Sequence, residues 1–187
     1  MEDVEGQVIN EELDAEREAR RRLALAQIRQ YPDAALRMEA RPVEAFDEEL
    51  AQLVARMKLL MRDANGVGLA ATQVGILKRL FVFVPAGEEA VAVVNPEIAE
   101  RSDEVETDDE GCLSLQGVTV PVERNVEVTV VGRNERGEEV RYELREMGAR
   151  AAQHEFDHLD GVLIIDRTTP AARKEALALL RPKIVLA

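Results

Sequence analysis

Two histidines occur in the chain, four residues apart with a glutamate beside the first: His154, Glu155 and His158 in 154-HEFDH-158. On a helix, positions i and i+4 share a face, so both imidazoles can grip one ion. Glu155 then sits close enough to act on a water bound to that ion, which is the H-E-x-x-H arrangement. A catalytic site of the zinc type takes three protein ligands and keeps one position open. Downstream, Glu175 lies beyond Pro170 but beside the basic Arg173 and Lys174, which makes it a poor third ligand. Upstream, the single cysteine, Cys112 in 110-EGCLSL-115, offers a thiolate, a strong and soft ligand. Cys112, His154 and His158 are the whole soft-ligand inventory of the chain. At this point several uses stay open: an H-E-x-x-H endopeptidase, a metal-stabilised binding module, or two solvent-facing histidines on a charged helix.

The elements that must position these residues follow from the pattern. A helix is expected from about Gly148 to Asp160, with Gly161 as its C-terminal stop. Upstream, Leu50, Leu53, Val54, Met57, Leu60 and Met61 form a core-facing stripe in 47-DEELAQLVARMKLLMRDA-64, with Asp47 as N-cap. A weaker helix runs from about Glu11 to Gln30 and ends at Pro32, while residues 1–10 read as disordered. Residues 66–75 read as a Gly-rich loop. Strands are expected at 79–86, 90–96, 118–123, 126–133 and 139–146, the last two joined by a hairpin turn at Asn134-Glu135-Arg136-Gly137. A short strand at 162–167 and a helix starting near Pro170 complete the chain. Helix, strands, helix is an α+β order, with antiparallel strands rather than βαβ units.

The chain has 187 residues and a net charge of −13, enough length for one domain with a real core. That charge argues against binding nucleic acid through a broad basic face. One cysteine allows no internal disulfide, which fits a reducing compartment. With neither an apolar leader nor a run of membrane-spanning length, the expected location is the cytoplasm, with no membrane partner. The acidic stretches 2–18 and 100–110 read as solvated faces, and Arg173, Lys174, Arg181 and Lys183 make a locally basic tail. The segment 66-GVGLAA-71 also fits the dinucleotide fingerprint G-x-G-x-x-[G/A], with Glu88 twenty residues beyond Gly68. Its context defeats that reading, because an amphipathic helix precedes it and Pro85 and Gly87 break any long helix after it.

Three blocks, 66-GVGLAATQ-73, 110-EGCLS-114 and 154-HEFDH-158, resemble in order and spacing the three motifs of the peptide deformylases, which remove the N-formyl group from new bacterial proteins. A weaker likeness continues through 31-YPD-33, Leu36 and Arg37, so the resemblance spans about 28–170. Thr72 stands where many members have proline, and Gln116-Gly117 where many have Pro-Gly; neither carries a reacting atom.

The resemblance implies antiparallel strands packed around a central metal-binding H-E-x-x-H helix, with an N-terminal helix and a short C-terminal helix. Residues 28–187 would be a single catalytic domain and residues 1–27 an acidic extension, partly disordered and partly helical. Cys112, His154 and His158 would hold one divalent ion, ferrous iron in the cell, with zinc, nickel or cobalt able to take its place. Glu155 would be general base and then acid. The Gln73 side-chain amide and the Leu113 backbone N–H would support the oxyanion. Gly66 and Gly68 would let an extended peptide pair with exposed backbone. Val67, Leu113, Met147 and Ala151 would receive the methionine side chain, with the stem of Arg150 at the edge. Gln153 and Asp157 flank the ligands, either as partners that orient the imidazoles or as plain polar helix residues. The implied partners are N-formylmethionyl peptides and nascent chains, and the basic tail fits a ribosome contact.

Overall fold

The run 80-LFVF-83 is apolar at every position, and it is buried on both faces. Leu80 and Val82 enter one core cluster, and Phe81 and Phe83 enter another. Successive strand side chains point to opposite faces, so this strand must lie between two layers. In the computed structural model, which describes residues 2–85 and 89–181, with side chains from residue 14 onward, it does. The strand is β2 (Leu80–Phe83), second in a five-stranded sheet of order β1-β2-β3-β6-β7. The others are β1 (Gly68–Ala70), β3 (Val91–Arg101), β6 (Glu127–Arg133) and β7 (Glu139–Arg145), and every pairing in it is antiparallel.

One face of this sheet is covered by α2 (Glu48–Asp63), whose Leu50, Val54, Met57, Leu60 and Met61 pack with Leu69, Leu80, Val82, Ala92 and Val94. Asp47 caps α2 by accepting from the Leu50 N–H at 3.0 Å. Ala24 and Leu25, at the end of α1 (Glu2–Leu25), join the same cluster. The other face is covered by α3 (Glu146–Leu159), the H-E-x-x-H helix, through Ala149, Ala152 and Leu159 against Phe81, Phe83, Val93, Val128 and Val130. A separate two-stranded sheet pairs β4 (Val105–Gly111) with β5 (Thr119–Asn125). Val120 and Val122 of β5 pack on Ile164 and Ile165 of α4 (Ile164–Arg167) and Ala176 of α5 (Pro170–Leu179). The architecture is α+β with antiparallel strands, as the order of elements implies.

Several local expectations change. The first helix begins at Glu2, ahead of the expected Glu11 and across residues read as disordered, and it stops at Leu25. The expected strand at 162–167 is instead the single helical turn α4, started by a hydrogen bond from the Leu163 N–H to Asp166 Oδ2 at 2.9 Å. The Gly-rich segment 66–75 is not all loop, since it holds β1 and a 3-10 turn at Ala71–Val74. The acidic stretch 100–110 is solvated as expected except at the buried Glu110, though most of it is strand, because β3 runs on to Arg101 and β4 begins at Val105. The hairpin turn stands where expected: Gly137 takes φ +81, and Asn134 Oδ1 accepts from the Arg136 and Glu138 N–H groups at 2.9 and 3.1 Å. Glu88 of the dinucleotide reading and Lys183 of the basic tail lie outside the described residues. Among the described residues, no helix is long and apolar enough to cross a membrane.

Candidate metal centre

Helix α3 sets His154 and His158 on one face, with ring centroids 5.0 Å apart. Cys112 follows β4 directly and reaches the same point from the small sheet, its Sγ 3.3 Å from His158 Nε2. One ligand atom from each of Cys112, His154 and His158 falls within 4.8 Å of the others. This thiolate and two imidazoles suit a divalent transition metal. The other nitrogen of His154, Nδ1, lies 3.1 Å from Glu110 Oε2, which fixes the ring and turns Nε2 toward the sulfur. Two buried polar atoms at the site, Glu155 Oε2 and His158 Nδ1, have no hydrogen-bond partner among the described residues. An unpaired carboxylate oxygen beside three converging soft donors fits a site built to hold an ion and its water.

Glu155 is buried beside β1. An added Cβ at Gly68 would stand 2.2 Å from Glu155 Oε1, so only glycine lets the strand pass this close. Burial pushes the Glu155 carboxyl up to about 7, against the opposing pull of His154. For His154, burial lowers the pKa, but hydrogen bonds with Cys112 and Glu110 outweigh it and hold the ring well above its ordinary value. Burial and the charge on His154 hold His158 well below.

Gln73 sits in the 3-10 turn after β1. Its Oε1 accepts from the Ala70 N–H at 2.9 Å, and its Nε2 donates to Ser114 Oγ at 3.1 Å and faces Cys112 Sγ at 3.7 Å. The amide is thus locked with its N–H₂ end toward the metal ligands. A cleft of about 480 Å³ opens over the site. It is lined by Gln73, Cys112, Leu113, His154 and Glu155, and also by Gly66, Val67, Gly68, Met147, Arg150 and Ala151. His158 lies beneath it, 1% exposed. Val67 and Met147 are exposed, Leu113 is half-buried and Ala151 is buried, so they line an open apolar trough.

The structure fixes the surroundings of three residues near the site: Arg150, Gln153 and Asp157. Arg150 contributes to the cleft wall, but its guanidinium is buried and donates to Glu110 Oε1, the Val122 carbonyl and the Glu106 carbonyl at 2.9, 2.9 and 3.0 Å. Gln153 orients no imidazole: it bonds to the backbone of Asn125 on β5. Asp157 bonds to Arg124 Nη1 and Arg167 Nη2, each at 2.6 Å, and reaches the ligands only through Arg124. Glu175 is exposed on α5, away from the ligand cluster.

The residues that sequence reasoning missed are Glu110 and Arg124. Arg124 donates from Nε and Nη2 to both oxygens of Glu110, each at 2.9 Å, and from Nη1 to Asp157, in a buried chain of charges that ends on His154. Burial raises the Glu110 pKa, but hydrogen bonds from His154 and Arg124 overcome it and bring it down to about 2. A signal was present: Val118, Val120, Val122 and Arg124 continue one alternation, so the arginine occupies an inward position that demands a buried partner.

Comparison with known proteins agrees with this geometry. The family model described as polypeptide deformylase matches residues 25–174. A peptide deformylase of Clostridium botulinum is 52% identical over 147 residues, 79% of this chain and 99% of the relative. One from Thermotoga maritima is 49% identical over 158 residues, 84% of this chain and 93% of its own. The crystal structure of the Thermotoga maritima peptide deformylase superposes with a TM-score of 0.74 at 50% identity, covering 76% of this chain and 97% of that one. That of a Legionella pneumophila peptide deformylase gives 0.78 at 39% identity, covering 82% and 91%. The chain carrying this Cys-His-His cluster belongs to the polypeptide deformylase family.

Proposed function

We propose that this protein hydrolyses the N-formyl group from the N-terminal formylmethionine of newly made proteins, releasing formate. The observation that carries the reading is the convergence of Cys112, His154 and His158 under a cleft that also holds Glu155, in a chain of this family. Cys112, His154 and His158 hold one divalent ion. Ferrous iron is its cellular identity in this reading, with zinc, nickel or cobalt able to fill the same donors. The bound ion supplies Lewis acidity, bringing water toward ionisation at neutral pH.

The remaining chemistry belongs to the chain. Glu155, with its pKa raised by burial, takes a proton from the attacking water and returns it to the leaving amine. The Gln73 amide and the Leu113 backbone N–H donate to the carbonyl oxygen as it gains charge. Gln73 is held for this by Ala70 and Ser114, so little reorganisation is needed. Gly66 and Gly68 leave room for an extended peptide, and Val67, Leu113, Met147 and Ala151 receive the methionine side chain. Glu110 acts behind the ligands by fixing the His154 ring.

Residues 28–187 act as one catalytic domain, with residues 1–27 an extension to it. The reaction is co-translational and cytoplasmic in this reading, and Lys174 and Arg181, with Arg173 paired to Asp166 at 3.4 Å beside them, form the basic surface for a ribosome contact. Unchanged ribosome affinity after deletion of the basic tail would sink that contact. The main test is formate release from formyl-Met-Ala-Ser by anaerobically purified protein, with metal content measured on the same sample. Release that disappears in Glu155→Gln while the metal stays bound supports the reading. Metal-loaded protein that releases no formate overturns it in favour of a binding module.

A further inference from the structure

The residues matched to the family begin at 25, yet the cleft wall does not. Arg21 and Leu25, one helical turn apart at the end of α1, both line the cleft. Leu25 is buried in the cluster against which Leu113 packs, so α1 is anchored at the rim by its last turn. Arg21, one turn further out, is half-exposed at the mouth. Among the described residues its one ion pair is with Glu18, at a loose 3.9 Å on the same helix. The other charges lining the cleft are engaged below it or lie across from it. Glu110 and Arg150 pair with each other, His154 and Glu155 belong to the centre, and Asp109 sits on the β4 side.

We propose that Arg21 is a specificity-determining residue, favouring acidic over basic side chains in the part of the peptide that follows formylmethionine. The inference rests on the deformylase reading of the cleft. A guanidinium held on a folded helix at the mouth meets the chain as it leaves the centre, where a carboxylate can pair with it. In a protein of net charge −13, a local cation at this place offsets the general repulsion of acidic peptides.

The test compares formyl-Met-Ala-Glu with formyl-Met-Ala-Lys in the metal-loaded full chain, by formate release and, separately, by calorimetric binding. Arg21→Ala should lower the Glu-to-Lys ratio of kcat/KM by about two- to five-fold, as expected for a partly exposed pair, mainly through KM. Arg21→Glu should lower it further. Arg22→Ala removes the same charge from the same helix outside the cleft lining and should leave the ratio unchanged. A ratio unmoved by Arg21→Ala, or moved equally by Arg22→Ala, overturns the proposal. Absence of formate from every peptide refutes the deformylase reading instead, and the binding ratio still decides for or against Arg21.

Discussion

At the scale of single residues, the site depends on close approaches that leave no room for error. Gly68→Ala would drive a methyl into Glu155. Displacing a catalytic group by about 1 Å can cost on the order of 100-fold, and a loss of that size in kcat is expected, with metal content unchanged. Steady-state formate release on metal-quantified protein measures it. Glu110→Gln keeps the shape but weakens the hold on His154, so metal affinity should fall by about 10- to 100-fold in a chelator competition. The four residues at the centre were legible because of type and spacing: one cysteine, two histidines four apart and the glutamate that follows the first leave few readings. Glu110 was not, because it ends a run of acids of which it alone is buried. Arg124 was hidden by the same habit of reading charge as solvated surface, although its place in the β5 alternation marked it.

At the scale of elements, α3 carries His154, His158 and Glu155, and its inner face is also part of the core of the main sheet. Phe83→Ala on β2 should therefore destabilise the protein by about 3–5 kcal/mol, read from the urea midpoint, while leaving the identity of the ligands untouched. Asp47→Ala, which removes the cap of α2, should cost only about 1 kcal/mol in the same measurement. The strong helices and the buried strands could be read from their periods. The turn α4 could not: Val162, Ile164 and Ile165 favour a strand, but Asp166 caps the turn, and Leu163, Ile164 and Ile165 are buried against β5. Nor could β4, because a ladder is made of backbone groups, and an edge strand tolerates solvated acids along its length.

At the scale of the whole molecule, the charge chain Asp157–Arg124–Glu110–His154 ties α3 to the small sheet and makes stability depend on pH. The folded pKa of Glu110, about 2, lies below its ordinary 4.5. Its contribution is therefore fully present above about pH 4.5 and is lost as the pH falls toward 2. Urea midpoints of metal-free protein should decline across that window, and Glu110→Gln should flatten the decline. A bound ion would staple the same two parts, since Cys112 comes from the small sheet and the histidines from α3. Chelation should accordingly lower the melting temperature, and restoring the metal should bring it back.

The five-stranded sheet ends in two unlike borders. Its outer strand β7 carries Glu139, Arg141, Glu143 and Arg145, exposed and alternating in sign. The opposite border is β1, three small or apolar residues beside the cleft. Another copy of the chain meeting β7 must match a fence of mixed charges: an antiparallel register with Glu139 opposite Arg145 and Arg141 opposite Glu143 pairs them, whereas a slip of two residues from it, or an in-register parallel contact, sets like charges together. The uncharged border is short and recessed, so it admits a single strand-shaped guest and offers too little length to seed a growing stack.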